Sequence, residues 1–175
     1  MEELVIWVDE HDNELGKVPR KIVHDKNKLL LHRETMQLLY QDKNHTKFWM
    51  QKRSLTKDQH PGLWTLSVTC HVGSEDITLQ DNLGYLNAGM REGLEEMGVK
   101  VKNQKLLGVL VSESDVNRGM AGVVVAEYEG EPKPEIGEID ELKLFDKITV
   151  KEIADKLTPS ARTVLKYLEI LDNED

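Results

Sequence analysis

Short apolar runs, each closed by polar turn residues, divide the first third of the chain. Leu4-Val5-Ile6-Trp7-Val8 is β-prone, and the polar stretch Asp9 to Gly16, with Asp12-Asn13 inside it, reads as the turn of a hairpin. A second apolar segment begins at Leu29-Leu30-Leu31-His32-Arg33 and runs on to Leu38-Leu39-Tyr40. Asp42-Lys43-Asn44-His45 predicts a turn and Lys47 to Gln51 a strand. Pro61-Gly62 breaks the chain before one further strand, Leu63 to Val68.

From Asn82 to Met97 the period changes. Leu83, Leu86, Met90, Leu94 and Met97 recur every three or four residues and predict one apolar stripe on a helix. Gly89 and Gly93 lie inside it, each costing roughly 1 kcal/mol against Ala, which implies something packed close to the helix backbone. Lys105 to Val111 and Met120 to Tyr128 read as strands, as does Ile139 to Phe145. Thr149, with Glu152 three residues on, predicts a capped helix to Leu157, and Thr158-Pro159 opens a final helix to Leu171. These elements predict an α/β (α+β) sandwich with a mixed β-sheet, and 175 residues suit one domain.

Composition narrows the partners. The net charge of −9 argues against a nucleic-acid polymer or an anionic membrane as partner. The apolar runs are too short to span a bilayer, and Met1-Glu2-Glu3-Leu4 lacks the basic region of a signal peptide. A single cysteine, Cys70, permits no internal disulfide and fits a reducing, cytoplasmic setting.

The chemistry concentrates in Arg91-Glu92-Gly93-Leu94-Glu95-Glu96-Met97-Gly98-Val99. Glu92, Glu95 and Glu96 share one helix face, where like charges repel unless a cation sits among them. Carboxylates are hard ligands, suited to Mg2+ or Mn2+. Arg53 and Lys57 are four apart beside the Pro61-Gly62 bend, so both could reach one diphosphate. Trp49, Trp64 and Tyr85 read as core aromatics before base-stacking ones.

The 91–99 run resembles the second half of the Nudix box, R-E-U-x-E-E-x-G-U, with Gly93 where the family prefers a bulky aliphatic. The resemblance implies a Nudix-type α/β/α sandwich. It implies that Arg91 orients the acidic cluster, that Glu95 and Glu96 ligate the cation, and that Glu92 is a further ligand or the base. The first half of the box is irregular. In the register set by Leu66-Ser67-Val68-Thr69-Cys70-His71-Val72, Cys70 stands for a glycine and Asp76 for a glutamate, with Glu75 as the alternative. Ile77 to Gly84 is then an inserted loop.

Much of the chain is similar to the isopentenyl-diphosphate isomerase-like branch. The signs are Leu31-His32-Arg33, Gln51-Lys52-Arg53-Ser54-Leu55-Thr56-Lys57 with Pro61-Gly62-Leu63-Trp64, and Leu157-Thr158-Pro159. The resemblance adds Arg20, four before His24, to Arg53 and Lys57, because that branch has a cation at the matching place. His24, His32 and His71 stand where that branch holds a second metal, so the resemblance makes His71 a ligand, although each also reads as an ordinary core or surface histidine. Three features oppose isomerase chemistry. Thr69 stands where the branch has its acidic cysteine, Cys70 should point to the opposite strand face, and no carboxylate lies at Arg118 to Met120.

The reading is therefore a Mg2+-dependent hydrolase that cleaves a diphosphate linkage in a small nucleoside-diphosphate-type substrate. Glu92, Glu113 or Glu138 would take the proton from water, and Arg20, Arg53 and Lys57 would neutralise phosphate. The alternatives are an isomerase-like enzyme, with Cys70 as the acid, and a non-catalytic diphosphate-binding module. Domains of this family often pair, so a homodimer is an allowed assembly.

Overall fold

The computed structural model describes residues 3–173, so the acidic start read at Met1 and Glu2 lies outside them. Two sheets form the body. In the larger, β1 (Leu4–Val8) and β2 (Glu14–Pro19) make the expected hairpin. A short helix α1 (Arg20–Val23) leads to β3 (His32–Leu39), buried along its whole length. The smaller sheet has the order β5-β4-β9, from β4 (Phe48–Arg53), β5 (Trp64–Leu66) and β9 (Ile139–Phe145).

The single strand expected over Leu63 to Val68 is two strands in different sheets. β5 pairs with β4, while β6 (Val68–His71) pairs antiparallel with β3. Ser67 is the crossing point: Leu39 N donates to its hydroxyl at 2.8 Å, and that hydroxyl donates to Trp49 O, one bond to each sheet.

β7 (Lys100–Glu113) and β8 (Arg118–Glu129) form a long hairpin, and β8 runs parallel to β3. The larger sheet is therefore mixed. Its inner face and the smaller sheet enclose a core of Met36, Leu38, Met50, Leu66, Val123 and Phe145, closed by α3 (Pro159–Tyr167). Its outer face carries α2 (Tyr85–Met97).

The face that α2 buries is not the predicted one. Tyr85, Ala88, Gly89, Gly93 and Met97 are buried, whereas Met90 and Leu94 are 42% and 63% exposed. The two glycines are the contact surface. A Cβ at Gly89 would overlap Gln37, and one at Gly93 would stand 2.6 Å from Val101 Cγ2. Close approach to the sheet outweighs burial of the leucine stripe, which accounts for the interior glycines.

Two helix ends also differ. Thr149–Lys156 is a 3₁₀ segment, not an α-helix, and Thr149 and Glu152 form no capping box. Asp146 does the capping: its Oδ1 accepts from Ile148 N at 2.9 Å and Thr149 N at 2.8 Å. Thr158 does cap α3, accepting from Ala161 N at 3.2 Å. That helix stops at Tyr167 instead of Leu171. Glu169 takes φ +55, which turns Ile170 and Leu171 back into the core.

Candidate functional site

Alternation along β3 sorts its residues between the two faces of the sheet. Arg33, Thr35 and Gln37 take the α2 side: Thr35 Oγ1 donates to Tyr85 O at 2.7 Å, and Gln37 Oε1 accepts from Gln104 Nε2 at 2.8 Å. His32, Glu34 and Met36 take the other face. Glu34 is opposite His71 and Met36 opposite Thr69. Cys70 therefore lies on the α2 side, packed against apolar clusters, with its thiol pushed well up by burial. Tyr85 and Trp64 are buried core rings.

A cleft of ≈ 420 Å³ opens beside this face. Its walls bring together Arg20, Arg53 and Lys57 with Glu92, Glu95 and Glu96. Glu138, Glu34 and His71 also reach it, as do Glu135 and His60, which sequence reasoning passed over. Glu113 does not; it accepts from Arg118 Nε at 2.6 Å. Its place outside the cleft, not the pairing, sets it apart from Glu92 and Glu138 as a candidate base.

Arg91 is the hub of the acidic helix. Its Nε donates to Asp76 Oδ1 and its Nη2 to Asp76 Oδ2, both at 3.0 Å, and its Nη1 donates to Glu92 Oε1 at 2.7 Å. Asp76, not Glu75, is thus the partner across the inserted loop, and Glu75 is exposed. Burial first, then the charges of Glu96 and Glu95, push the Glu92 carboxyl above the usual carboxylate range, against the opposing pull of Arg91. Glu96 Oε2 accepts from Gln51 Nε2 at 3.1 Å, a bond that ties the acidic helix to β4.

The cations are held by their neighbours. Arg20 Nη2 donates to both oxygens of Asp58, at 3.1 and 3.0 Å. Arg53 Nε donates to Gln59 O at 2.9 Å. Lys57 forms an ion pair with Glu138, and burial lowers its ammonium pKa.

Three histidines converge next to the cleft. One ligand atom from each of His24, His32 and His71 lies within 4.8 Å of the others. Each Nδ1 faces an acceptor: Val116 O at 3.3 Å for His24, Leu30 O at 2.9 Å for His32, and Glu3 Oε1 at 3.0 Å for His71. Carbonyl and carboxylate oxygens only accept, so each Nδ1 turns an N–H toward its acceptor. His24 Nε2 and His71 Nε2 then confront each other at 2.8 Å, an arrangement that calls for a proton or a cation between them. Burial and the neighbouring His71 lower His24 to about 4 and His32 to about 3, so both are neutral imidazoles at neutral pH. Neutral imidazoles with oriented Nδ1–H groups are what metal ligation requires.

No family model matches the chain. It is 34% identical over 108 residues to an isopentenyl-diphosphate delta-isomerase of Gibberella zeae, covering 57% of this chain and 42% of that protein. It is 33% identical over 98 residues to an uncharacterized Nudix hydrolase of Pseudomonas aeruginosa, covering 56% of this chain and 52% of that one. The chain thus spans about half the length of the curated relatives it matches. Its fold superposes on the MutT Nudix hydrolase of Burkholderia pseudomallei with a TM-score of 0.58, at 21% identity, over 78% of this chain and 96% of that one. The chain thus has the fold of the Nudix hydrolases, and just over half of it is similar in sequence to an isopentenyl-diphosphate isomerase and to a Nudix hydrolase. Among the described residues, no helix is long and apolar enough to cross a membrane.

Proposed function

We propose that this chain is a divalent-metal-dependent hydrolase that cleaves a diphosphate linkage in a small nucleoside-diphosphate-type substrate. The observation that carries the reading is one cleft lined by both the Glu92, Glu95, Glu96 carboxylates and the Arg20, Arg53, Lys57 cations. A diphosphate bridging a metal ion needs both halves of that arrangement.

The donor set fits a hard cation. Three carboxylates share a helix face, and Glu92 is strained toward protonation by burial and its acidic neighbours. Mg2+ or Mn2+ held there would supply charge neutralisation at phosphate and an activated water. Arg91, braced by Asp76, fixes the Glu92 side chain. Arg53 and Arg20 bind phosphate oxygens. Lys57 has two anions to choose between, Glu138 and the arriving phosphate, so substrate binding would release Glu138 to accept a proton from water.

Phosphate release from a panel of nucleoside diphosphate derivatives, with Mg2+ and with Mn2+, tests this. Glu95→Gln and Glu96→Gln should each lower the rate by about 10²-fold or more. Unchanged rates in both would sink the reading.

The three-histidine cluster favours a second reading, isomerase-type chemistry on an isoprenoid diphosphate. It would need a strong acid beside His71, where this chain has Thr69; Cys70 borders the cleft but lies on the other face of the sheet from His71 and Glu34. Turnover of isopentenyl diphosphate with Mn2+, lost in Cys70→Ser, would support it.

A further inference from the structure

β7 is an edge of the larger sheet. Among the described residues it pairs only with β8, so its other side presents backbone N–H and C=O groups that meet no strand. The other edges are short or guarded. β5 and β6 are three and four residues long. β2 carries Glu14, Lys17 and Pro19, and β9 carries Asp140, Glu141 and Lys143. Charge and proline on an edge discourage pairing with another chain. From Leu106 to Ser112, β7 has neither.

Bulges at Asn103–Gln104 and at Leu107 bend the first half of β7, but from Gly108 to Glu113 its pairing with β8 is unbroken. Leu107, Val109 and Val111 are 37%, 38% and 42% exposed. Tyr167 of α3 joins them, 48% exposed, and its hydroxyl donates to Leu107 O at 3.2 Å. A Cβ at Gly108 would overlap that hydroxyl, so the aromatic side chain lies against the strand.

The two ends of the uncharged stretch have opposite signs. Lys105 is exposed and has no ion pair among the described residues. Glu113 is also exposed; Arg118 holds its Oε1, and no described residue holds its Oε2. Val109 is midway between Lys105 and Glu113. An antiparallel copy of the strand, related by a two-fold axis near Val109, sets each Lys105 beside the other copy's Glu113. A parallel copy in register would set like charges together, which is unfavourable.

We propose that β7 is the interface of a two-fold dimer of this chain, in which the two strands pair antiparallel and the larger sheets of both copies become one. Leu107, Val109, Val111 and Tyr167 of both copies form its apolar centre. The Lys105–Glu113 pair, made twice, forms its polar rim.

Sedimentation velocity on the full chain, over about a hundredfold range of concentration, tests this. The mass should pass from the 20.0 kDa of one chain to twice that value. Val109→Lys and Val111→Lys, each at an exposed side chain, should keep the circular dichroism spectrum and sediment as monomers throughout. Lys105→Glu alone and Glu113→Lys alone should each weaken the dimer about tenfold or more, because like charges then face each other twice. An equimolar mixture of those two variants should dimerise at least as tightly as the unaltered chain, since every pair is again opposite in sign. A monomer at every concentration overturns the proposal and leaves the edge to a strand of another protein. A dimer that survives both valine substitutions overturns it too, because the contact then lies elsewhere. A dimer lost in Val109→Lys but indifferent to the charge variants and their mixture overturns the antiparallel register.

Discussion

Arg91 grips Asp76 with two parallel hydrogen bonds across a separation of fifteen residues. Asp76 sits in a 3₁₀ turn over Ser74–Asp76, 3% exposed, and its Oδ2 also accepts from Gly73 N at 2.9 Å. The loop between the two partners bulges outward without disturbing their pairing, which is why an interrupted motif can still assemble.

Removing that carboxylate should therefore act at a distance. Asp76→Ala leaves the Arg91 guanidinium half-buried and short of two acceptors, and should cost about 2–3 kcal/mol in urea unfolding. It should also weaken Mg2+ binding, because Glu92 loses its braced partner. Full stability in Asp76→Ala would mean that Arg91 re-pairs with Glu92 and Glu95 alone.

The inserted loop has a structural job of its own. Asp81 Oδ2 accepts from Leu86 N at 2.7 Å and Asn87 N at 2.9 Å, and so caps the start of α2 from outside the helix. Asp81→Ala should lower stability by about 1 kcal/mol, read as a shift in the thermal midpoint.

Helix propensity and packing oppose each other at the two glycines. Replacing either by Ala gains roughly 1 kcal/mol of propensity and sets a Cβ against the sheet. At Gly93 the obstacle is Val101 Cγ2. At Gly89 it is the Gln37 amide that Gln104 also binds. Overpacking at such sites costs about 1–3 kcal/mol, so both should be net destabilising. Gly93→Ala in a Val101→Ala background should recover most of the loss, measured by a double-mutant cycle.

Acid should loosen the metal-free protein. His24 and His32 titrate at about 4 and about 3 in the fold, below the ordinary histidine value of 6.5. As pH falls through 6.5 the unfolded chain takes up protons that the folded chain refuses, so stability is lost between about pH 6.5 and 3 and is fully present above that window. Glu34 and Glu92, raised by burial, tilt the opposite way. Thermal midpoints in chelator from pH 7.5 to 4 should therefore fall more steeply for the unaltered chain than for His32→Gln. Equal slopes would contradict neutral burial of the imidazole.

The sequence by itself determined where most strands lie along the chain, because short apolar runs between turn residues are local signals; packing overrode them at Leu63 to Val68, which divides between two sheets. It also named the acidic helix face, since three carboxylates at helical spacing need no long-range information. What it could not decide lay in pairings between distant residues. Apolar residues spaced for a stripe were left exposed at Met90 and Leu94 because the glycine face allowed closer contact with the sheet. Whether Asp76 or Glu75 met Arg91 depended on the path of an inserted loop. Three histidines forty-seven residues apart at their extremes became neighbours only when α1, β3 and β6 came together.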